Sequence, residues 1–453
     1  VSQKKLNGKR MDHAASIEKT NDTRMKNTVP LLSRTLVILL ISMIAANIGG
    51  SMYGPLLPLY VQSLGANISQ IGIFFTLSMI APLLFQIVGG WLSDALGRVQ
   101  AMAIGSVAGV IGYVTFTVSP SWGWLLLGMT GLAMASSFVG PSFQAFVAEQ
   151  STEETRGRVF GITQTAFLLV GVIGGPLGGY IADKYGFRPM FFIATSLYVI
   201  ATIIRLYMAR KVRREEKVEE KEKRAAPSFS GLKKSLVTLA GLIVGGGIVT
   251  WIFLSDGVND VSFSMVGNLF PLYLNNIGGI TMTQLGILQS ISSLVTMAFM
   301  MLGGMLSDKV GERVGIVFGN LFVAGALFTI VNVNTYAMFI LAFVLLGIGQ
   351  ALAGPAYNSL ISKVVPDNLR GTAFGFFSTS LGIVSLPAPY IGTALWERYN
   401  PKVPFYVPMA AVLLTLPVIW FKFKLPKTTA NSQQTPGPDG GVDAVIQPAA
   451  EQP

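Results

Sequence analysis

Twelve stretches of about 20 mostly apolar residues follow one another along this chain of 453 residues. Each is long enough to cross a bilayer core of roughly 30 Å as an α-helix. They cover 36–61, 69–91, 99–119, 122–147, 157–181, 188–208, 247–274, 282–305, 314–334, 336–361, 372–396 and 403–421. Lipid offers the backbone no hydrogen-bond partners, so such segments must satisfy their own N–H and C=O groups and be helical. Their recurrence excludes a soluble protein with one apolar anchor. Composition agrees: 12% of the residues are charged, against roughly 25% in an ordinary soluble domain. The expected fold class is an all-α integral membrane protein with 12 transmembrane helices.

The chain contains no cysteine and one histidine, His13, in the polar stretch before the first span. Disulfides, thiol chemistry, a Cys or His metal site and a Ser-His pair therefore have no raw material. No metal and no cofactor are expected. The 33 residues before the first apolar stretch are polar and basic, and that stretch is too long for a signal-peptide core.

The net charge of +11 raises the question of nucleic acid, and its distribution points elsewhere. Alternate loops, counted with their edges, carry 17 Lys or Arg, whereas those on the other side carry only Lys184, Arg188, Arg398 and Lys402. The positive-inside rule then places both termini in the cytoplasm of a multi-pass plasma-membrane protein. The partners expected are the lipid bilayer and a small-molecule substrate, with no nucleic acid and a monomeric state.

A repeat organises the spans. "GGWLSDALGRV" (Gly89–Val99) returns as "GGMLSDKVGERV" (Gly303–Val314), 214 residues later. At the same offset Gly140-Pro141 matches Gly354-Pro355, Asp183-Lys184-Tyr185 matches Glu397-Arg398-Tyr399, and Gln70 matches Gln284. In the first span the offset is 213, pairing "PLY" at Pro58 with "PLY" at Pro271. Two parallel six-helix repeats follow, related by an axis along the membrane normal, with substrate expected between them. The expected division is an N-terminal tail 1–33, an N-terminal bundle 34–209, a basic linker 210–235, a C-terminal bundle 236–424 and a disordered tail 425–453.

The motif Gly90, Leu92, Asp94, Gly97, Arg98 resembles the signature of the major facilitator superfamily in the loop between helices 2 and 3. Its second copy, Gly304, Leu306, Asp308, Gly311, Arg313, is looser, with Glu312 inserted before the arginine. The resemblance implies that this cluster latches the cytoplasmic side in one transport state, with Arg98 free to pair with an acid such as Glu149 at the end of helix 4. A turn with a purely structural salt bridge is the alternative reading. In helix 5, "GVIGGPLGGY" resembles the Gly-Pro signature of the drug–proton antiporter branch through Gly171, Gly175, Pro176 and Gly179. Tyr180 stands where a second glycine of the final pair is expected. A kinked, glycine-lined helix interface is again the alternative. The branch's arginine within helix 4 has no counterpart in Leu126–Ala135, and helix 1 offers Asn47 in place of an acid.

A charged side chain inside the bilayer costs a few kcal/mol or more, so its presence needs a reason. One acidic constellation stands out in helix 7, where Asp256, Asn259 and Asp260 share a face at i, i+3 and i+4. Such a pair can bind and release a proton. Two registers are open: a span ending near Leu254 would leave both acids in a loop, whereas the repeat places Asp260 opposite Asn47 at mid-bilayer. The repeat favours the buried register. Gln144, Gln164, Gln289, Gln350 and Asn358, with Gln86 and Ser136, are candidates to line a cavity. Arg205 is expected to snorkel to the cytoplasmic surface, which leaves no buried cation to favour an anionic substrate.

The expected function is secondary active transport by alternating access: proton-coupled efflux of a small hydrophobic or cationic molecule, with the proton gradient as energy source. Uptake of a sugar or organic anion is the second reading. A non-transporting membrane sensor is a third, and no catalytic constellation supports an enzyme.

Overall fold

The computed structural model describes residues 32–85, 97–152, 154–216, 241, 247–365 and 381–423. Gly90, Asp94, Gln86, most of the linker and both tails lie outside them. The chain divides into Val1–Phe423 and Lys424–Pro453, and all described residues belong to the first unit.

The described residues are helical throughout, joined by short turns. Helix α1 (Arg34–Ser63) starts where the Ser33 hydroxyl accepts from the Leu36 N–H at 3.2 Å. It tightens through Gly54–Leu56, where Pro55 has no N–H to give. Then come α2 (Ile68–Phe85), α3 (Arg98–Val118), α4 (Trp122–Glu149), α5 (Arg156–Tyr185) and α6 (Phe187–Glu216). The second half contains α8 (Met282–Val310), α9 (Glu312–Asn332), α10 (Tyr336–Val364) and α12 (Val403–Lys422). These ten are long and apolar enough to cross a membrane.

The remaining two are broken helices. Helix α7 runs from Ile248 to Val266 and resumes as Leu269–Asn276 after Gly267 and Asn268. Helix α11 is helical at 381–384, turns through Ser385, Leu386 and Pro387, and continues as Ala388–Arg398. The twelve elements fall where the apolar stretches place them.

The repeated sequence motifs are repeated local geometry. Asn67 and Gln70 form a capping box at the start of α2, and Thr281 and Gln284 form its copy at α8. The Tyr of each "PLY" reaches a carbonyl at the end of the third helix of its half: Tyr60 to Phe116 at 2.7 Å and Tyr273 to Val331 at 3.4 Å. Gly97 and Gly311 both turn the chain at positive φ, 102° and 103°, which a side chain would resist.

One face carries the Gly65 and Gly279 turns and the other those at Gly97 and Gly311. A single hydrophobic core joins the halves toward the Gly65 face, with Tyr60, Phe74 and Phe191 from one half and Leu272, Tyr273 and Phe339 from the other. The large outward side chains, such as Met301 (76% exposed) and Leu414 (74%), suit lipid rather than water.

Candidate functional site

At the Gly97 turn the expected ion pair forms. Arg98, first residue of α3, places Nε 2.9 Å from Oε1 of Glu149, last residue of α4. In the second half the pair is present with its charges exchanged. Glu312 stands 214 residues after Arg98 and Lys363 stands 214 after Glu149, and the two are bonded to each other. The Ser359 hydroxyl also donates to Glu312 at 2.9 Å. Glu312 is therefore the counterpart of Arg98 rather than an insertion before Arg313. Arg313 lies one position further, its guanidinium 5.0 Å from the Trp420 ring centroid. Asp308 is exposed near the end of α8, and Gly304 lies within that helix with open space beside it.

The helix 7 residues lie in the middle of the long segment of α7, so they are helical rather than in a loop. Asp260 accepts a hydrogen bond from the Ser385 hydroxyl at 2.6 Å, at the break of α11. Asn259 turns toward Thr415 of α12, Nδ2 to Oγ1 3.5 Å. Tyr357 of α10 faces Ser255 and Asp256. Among the described residues the Asn259 Oδ1 is buried without a hydrogen-bond partner. Buried polar atoms of this kind are uncommon and call for an occupant or a function. Ser385, Thr415 and Tyr357 were not singled out by the sequence; their only signal is a polar side chain at a helix break or among apolar neighbours.

The amide candidates do not assemble. Gln144, Gln164, Gln289, Gln350 and Asn358 are exposed, and none lines either of the described cavities. Asn47 does line one, while its Nδ2 donates to the Met43 carbonyl at 2.8 Å.

The helix 5 glycines have a packing role. A Cβ on Gly175 would sit 2.9 Å from the Gly286 carbonyl oxygen of α8, and Gly179 faces the Met282 and Thr283 backbone. Both therefore let α5 meet α8 of the other half backbone to backbone, with Pro176 between them. Gly171 has open space. Hydrogen bonds gather along this seam. Asp183 accepts from the N–H groups of Met282 and Thr283 at 3.1 and 2.7 Å, and the Ser290 hydroxyl donates to the Val172 carbonyl. The repeat partner of Asp183 acts likewise, since Glu397 accepts from the N–H and hydroxyl of Ser69 at 2.9 and 2.7 Å. An acid at the end of each half's fifth helix thus caps the second helix of the other half.

Arg205 corrects the sequence reading. It is 1% exposed and does not reach the surface. Its Nε donates to the Ser42 hydroxyl (3.2 Å), Nη1 to the Ser106 hydroxyl (2.8 Å), and Nη2 to the Ser42 carbonyl (3.3 Å). Ser42 and Ser106 lie eight residues inside α1 and α3, about 12 Å from those helix starts. The guanidinium is thus held inside the apolar layer. Snorkelling fails because α6 continues to Glu216 while α1 and α3 offer polar atoms at hand. A cavity of about 450 Å³ adjoins it, lined among others by Asn47, Tyr53, Tyr113, Ser136 and Tyr198. A second, of about 410 Å³, shares Pro82 and Ser136 and reaches Gly382 of α11. The continuation Leu206-Tyr207-Met208 was the available sign that Arg205 still lies in the apolar stretch.

The Major Facilitator Superfamily sequence pattern matches residues 39–258 and again 252–449. The chain is 25% identical over 374 residues to the multi-drug resistance efflux pump PmrA of Streptococcus pneumoniae, covering 79% of this chain and 88% of that protein. It is 23% identical over 411 residues to the multidrug resistance protein MdtG of Escherichia coli, covering 87% and 96%. Among solved structures, a POT family transporter in complex with 5-aminolevulinic acid superposes with a TM-score of 0.66 at 16% identity, covering 86% and 96%. A D-xylose-proton symporter superposes at 0.64 with 15% identity, covering 87% and 98%.

Proposed function

The chain belongs to the major facilitator superfamily of membrane transporters, and from that premise we propose that it exports small, largely apolar or cationic molecules in exchange for protons. The observation that carries this reading is the Asp260–Ser385 contact. It puts an ionisable group within a membrane helix, against the break of a second helix. A carboxylate at that depth is expensive unless it has a task, and a proton relay is the commonest one. Export is supported by the efflux pumps among the relatives and by the Gly-Pro pattern of α5.

The chemistry follows from one group with two partners. As a carboxylate, Asp260 accepts from Ser385 and attracts a cationic substrate; once protonated it can do neither in the same way. Asp256, one turn away, adds negative charge, and the orphaned Asn259 oxygen offers a polar contact to an incoming group. Proton and substrate then compete for one site, and reciprocal linkage makes each drive release of the other. The basic-loop bias puts the termini in the cytoplasm, so a proton arriving when the Gly65 face opens displaces substrate outward.

The test is transport of ethidium into inside-out proteoliposomes under an imposed pH gradient. One unit of pH supplies about 1.4 kcal/mol per proton, enough for about tenfold accumulation of a monovalent cation such as ethidium at one-to-one, electroneutral exchange. Asp260→Asn should abolish gradient-driven accumulation and weaken ethidium binding without removing it, and Asp256→Asn should be milder. Full pH-driven accumulation in Asp260→Asn would end the coupling role. Accumulation only with the opposite gradient would make the protein an importer.

A further inference from the structure

The Arg205 cavity has no place in proton coupling through α7. Arg205 carries a full charge in the apolar layer, and among the described residues no carboxylate forms a salt bridge with it. Its partners, two serine hydroxyls, one carbonyl and the Met43 sulfur, accept hydrogen bonds but carry no countercharge. A polar but neutral side chain would tie α1, α3 and α6 together through the same groups at much lower desolvation cost. The charge itself therefore needs a role.

The surroundings define what would answer it. Tyr198 lies beneath the guanidinium, 5.9 Å from ring centroid to Cζ. It stacks on Tyr113 at 4.6 Å, and Tyr53 meets Tyr113 edge-on at 5.6 Å. These three rings and Arg205 border one cavity of about 450 Å³, within the range of roughly 300–1,000 Å³ typical of small-molecule sites. Offset or edge contacts among aromatic rings favour another ring, whereas a small hydrated inorganic anion gains nothing from them. The cavity meets its neighbour at Pro82 and Ser136, and that neighbour touches Gly382 of the other half. A ligand there would lie on the seam that alternating access opens and closes.

We propose that this cavity binds an aromatic carboxylate, its carboxylate directed to Arg205 and its ring packed among Tyr53, Tyr113 and Tyr198. Nε and Nη2 are engaged by Ser42 and Met43 and one Nη1 hydrogen by Ser106, so the remaining Nη1–H makes a single charge-assisted hydrogen bond to the carboxylate. The site lies in the half of the molecule opposite the Asp256–Asp260 cluster. Only the site's part in transport rests on the export reading; the binding does not.

Equilibrium binding of radiolabelled 2-naphthoate to the purified full chain tests it, with 2-naphthamide as the uncharged isostere. Saturable binding is expected, with naphthoate preferred by at least about tenfold. Arg205→Gln should erase that preference and Arg205→Lys should keep part of it. No saturable binding, no preference for the anion, or an intact preference in Arg205→Gln overturns the assignment. Should Arg205→Gln fail to insert, Ser136→Phe narrows the cavity while leaving the bonds of Arg205 to Ser42 and Ser106. It should lose the same binding, and full binding there is equally fatal. A protein that binds naphthoate but never accumulates ethidium keeps this site and ends the export reading. The converse ends the site alone.

Discussion

Asp183 of the N-terminal half caps the helix that opens at Met282 in the C-terminal half, its carboxylate accepting from the Thr283 N–H at 2.7 Å. Glu397 repeats the contact in the opposite sense on Ser69. Each acid faces the positive end of a helix dipole and satisfies N–H groups that the helix cannot. Together they join the two halves at the Gly65 face.

Neutralising them should therefore favour opening of that face. Both acids are exposed, so each is worth only about 0.5–1 kcal/mol. The double variant Asp183→Asn, Glu397→Gln, at about 1–2 kcal/mol together, should shift the opening equilibrium by roughly five- to thirtyfold. Because the chain has no cysteine, Ser136→Cys provides a lone reporter in the cavity. Its modification by a membrane-impermeant thiol reagent from the Gly65 side should quicken by that factor. An unchanged rate would mean that the seam rests on the apolar core alone.

The glycine crossing sets a second expectation. Gly175 and Gly286 meet backbone to backbone, and a Cβ on Gly175 would lie 2.9 Å from a carbonyl oxygen. Gly175→Leu should force α5 from α8 and prevent closure of the Gly65 face, leaving the protein inserted but reducing turnover at least about fivefold through a packing cost of about 1–3 kcal/mol. Normal turnover in this variant would show that the seam does not close tightly during the cycle.

Much of this architecture was legible in the sequence because lipid allows few alternatives. Apolar length fixes the helices, and the 214-residue offset fixes their relation. The Arg98–Glu149 pair was legible too, since a cation at a turn and an acid at a helix end invite pairing. Arg205 was not. Near a helix end, snorkelling and internal hydrogen bonding look alike until Ser42 and Ser106 are seen at the same depth. Nor was the pairing of Glu312 with Lys363, because a charge exchange erases the motif while preserving the contact.

Orientation gives a third prediction, resting on the 17-to-4 bias of Lys and Arg between alternate loops. Single cysteines at Gly65 and Lys217 should react with an impermeant reagent from outside and inside the cell, respectively. The reverse pattern would invert the proton and substrate directions proposed above.

The exchanged ion pair gives the last. Glu312 is 6% exposed at its side chain and Lys363 is 49% exposed, whereas Arg98 and Glu149 are 22% and 44% exposed. Screening falls with burial, so the Glu312–Lys363 coupling should be the larger, about 1 kcal/mol or more against roughly 0.5 for the exposed pair. Lys363→Gln leaves the buried Glu312 carboxylate without a countercharge, and should lower the unfolding temperature in detergent more than Glu312→Gln, which leaves only a half-exposed lysine. Glu312→Lys sets two cations side by side and should be worst of all. Adding Lys363→Glu restores the charge arrangement found at Arg98 and Glu149, and should recover most of the loss. Double-mutant cycles on both pairs measure these couplings directly. A coupling at Glu312–Lys363 no larger than at Arg98–Glu149, or no recovery in the exchanged double variant, would mean that helix packing at the Gly311 turn holds without the charges.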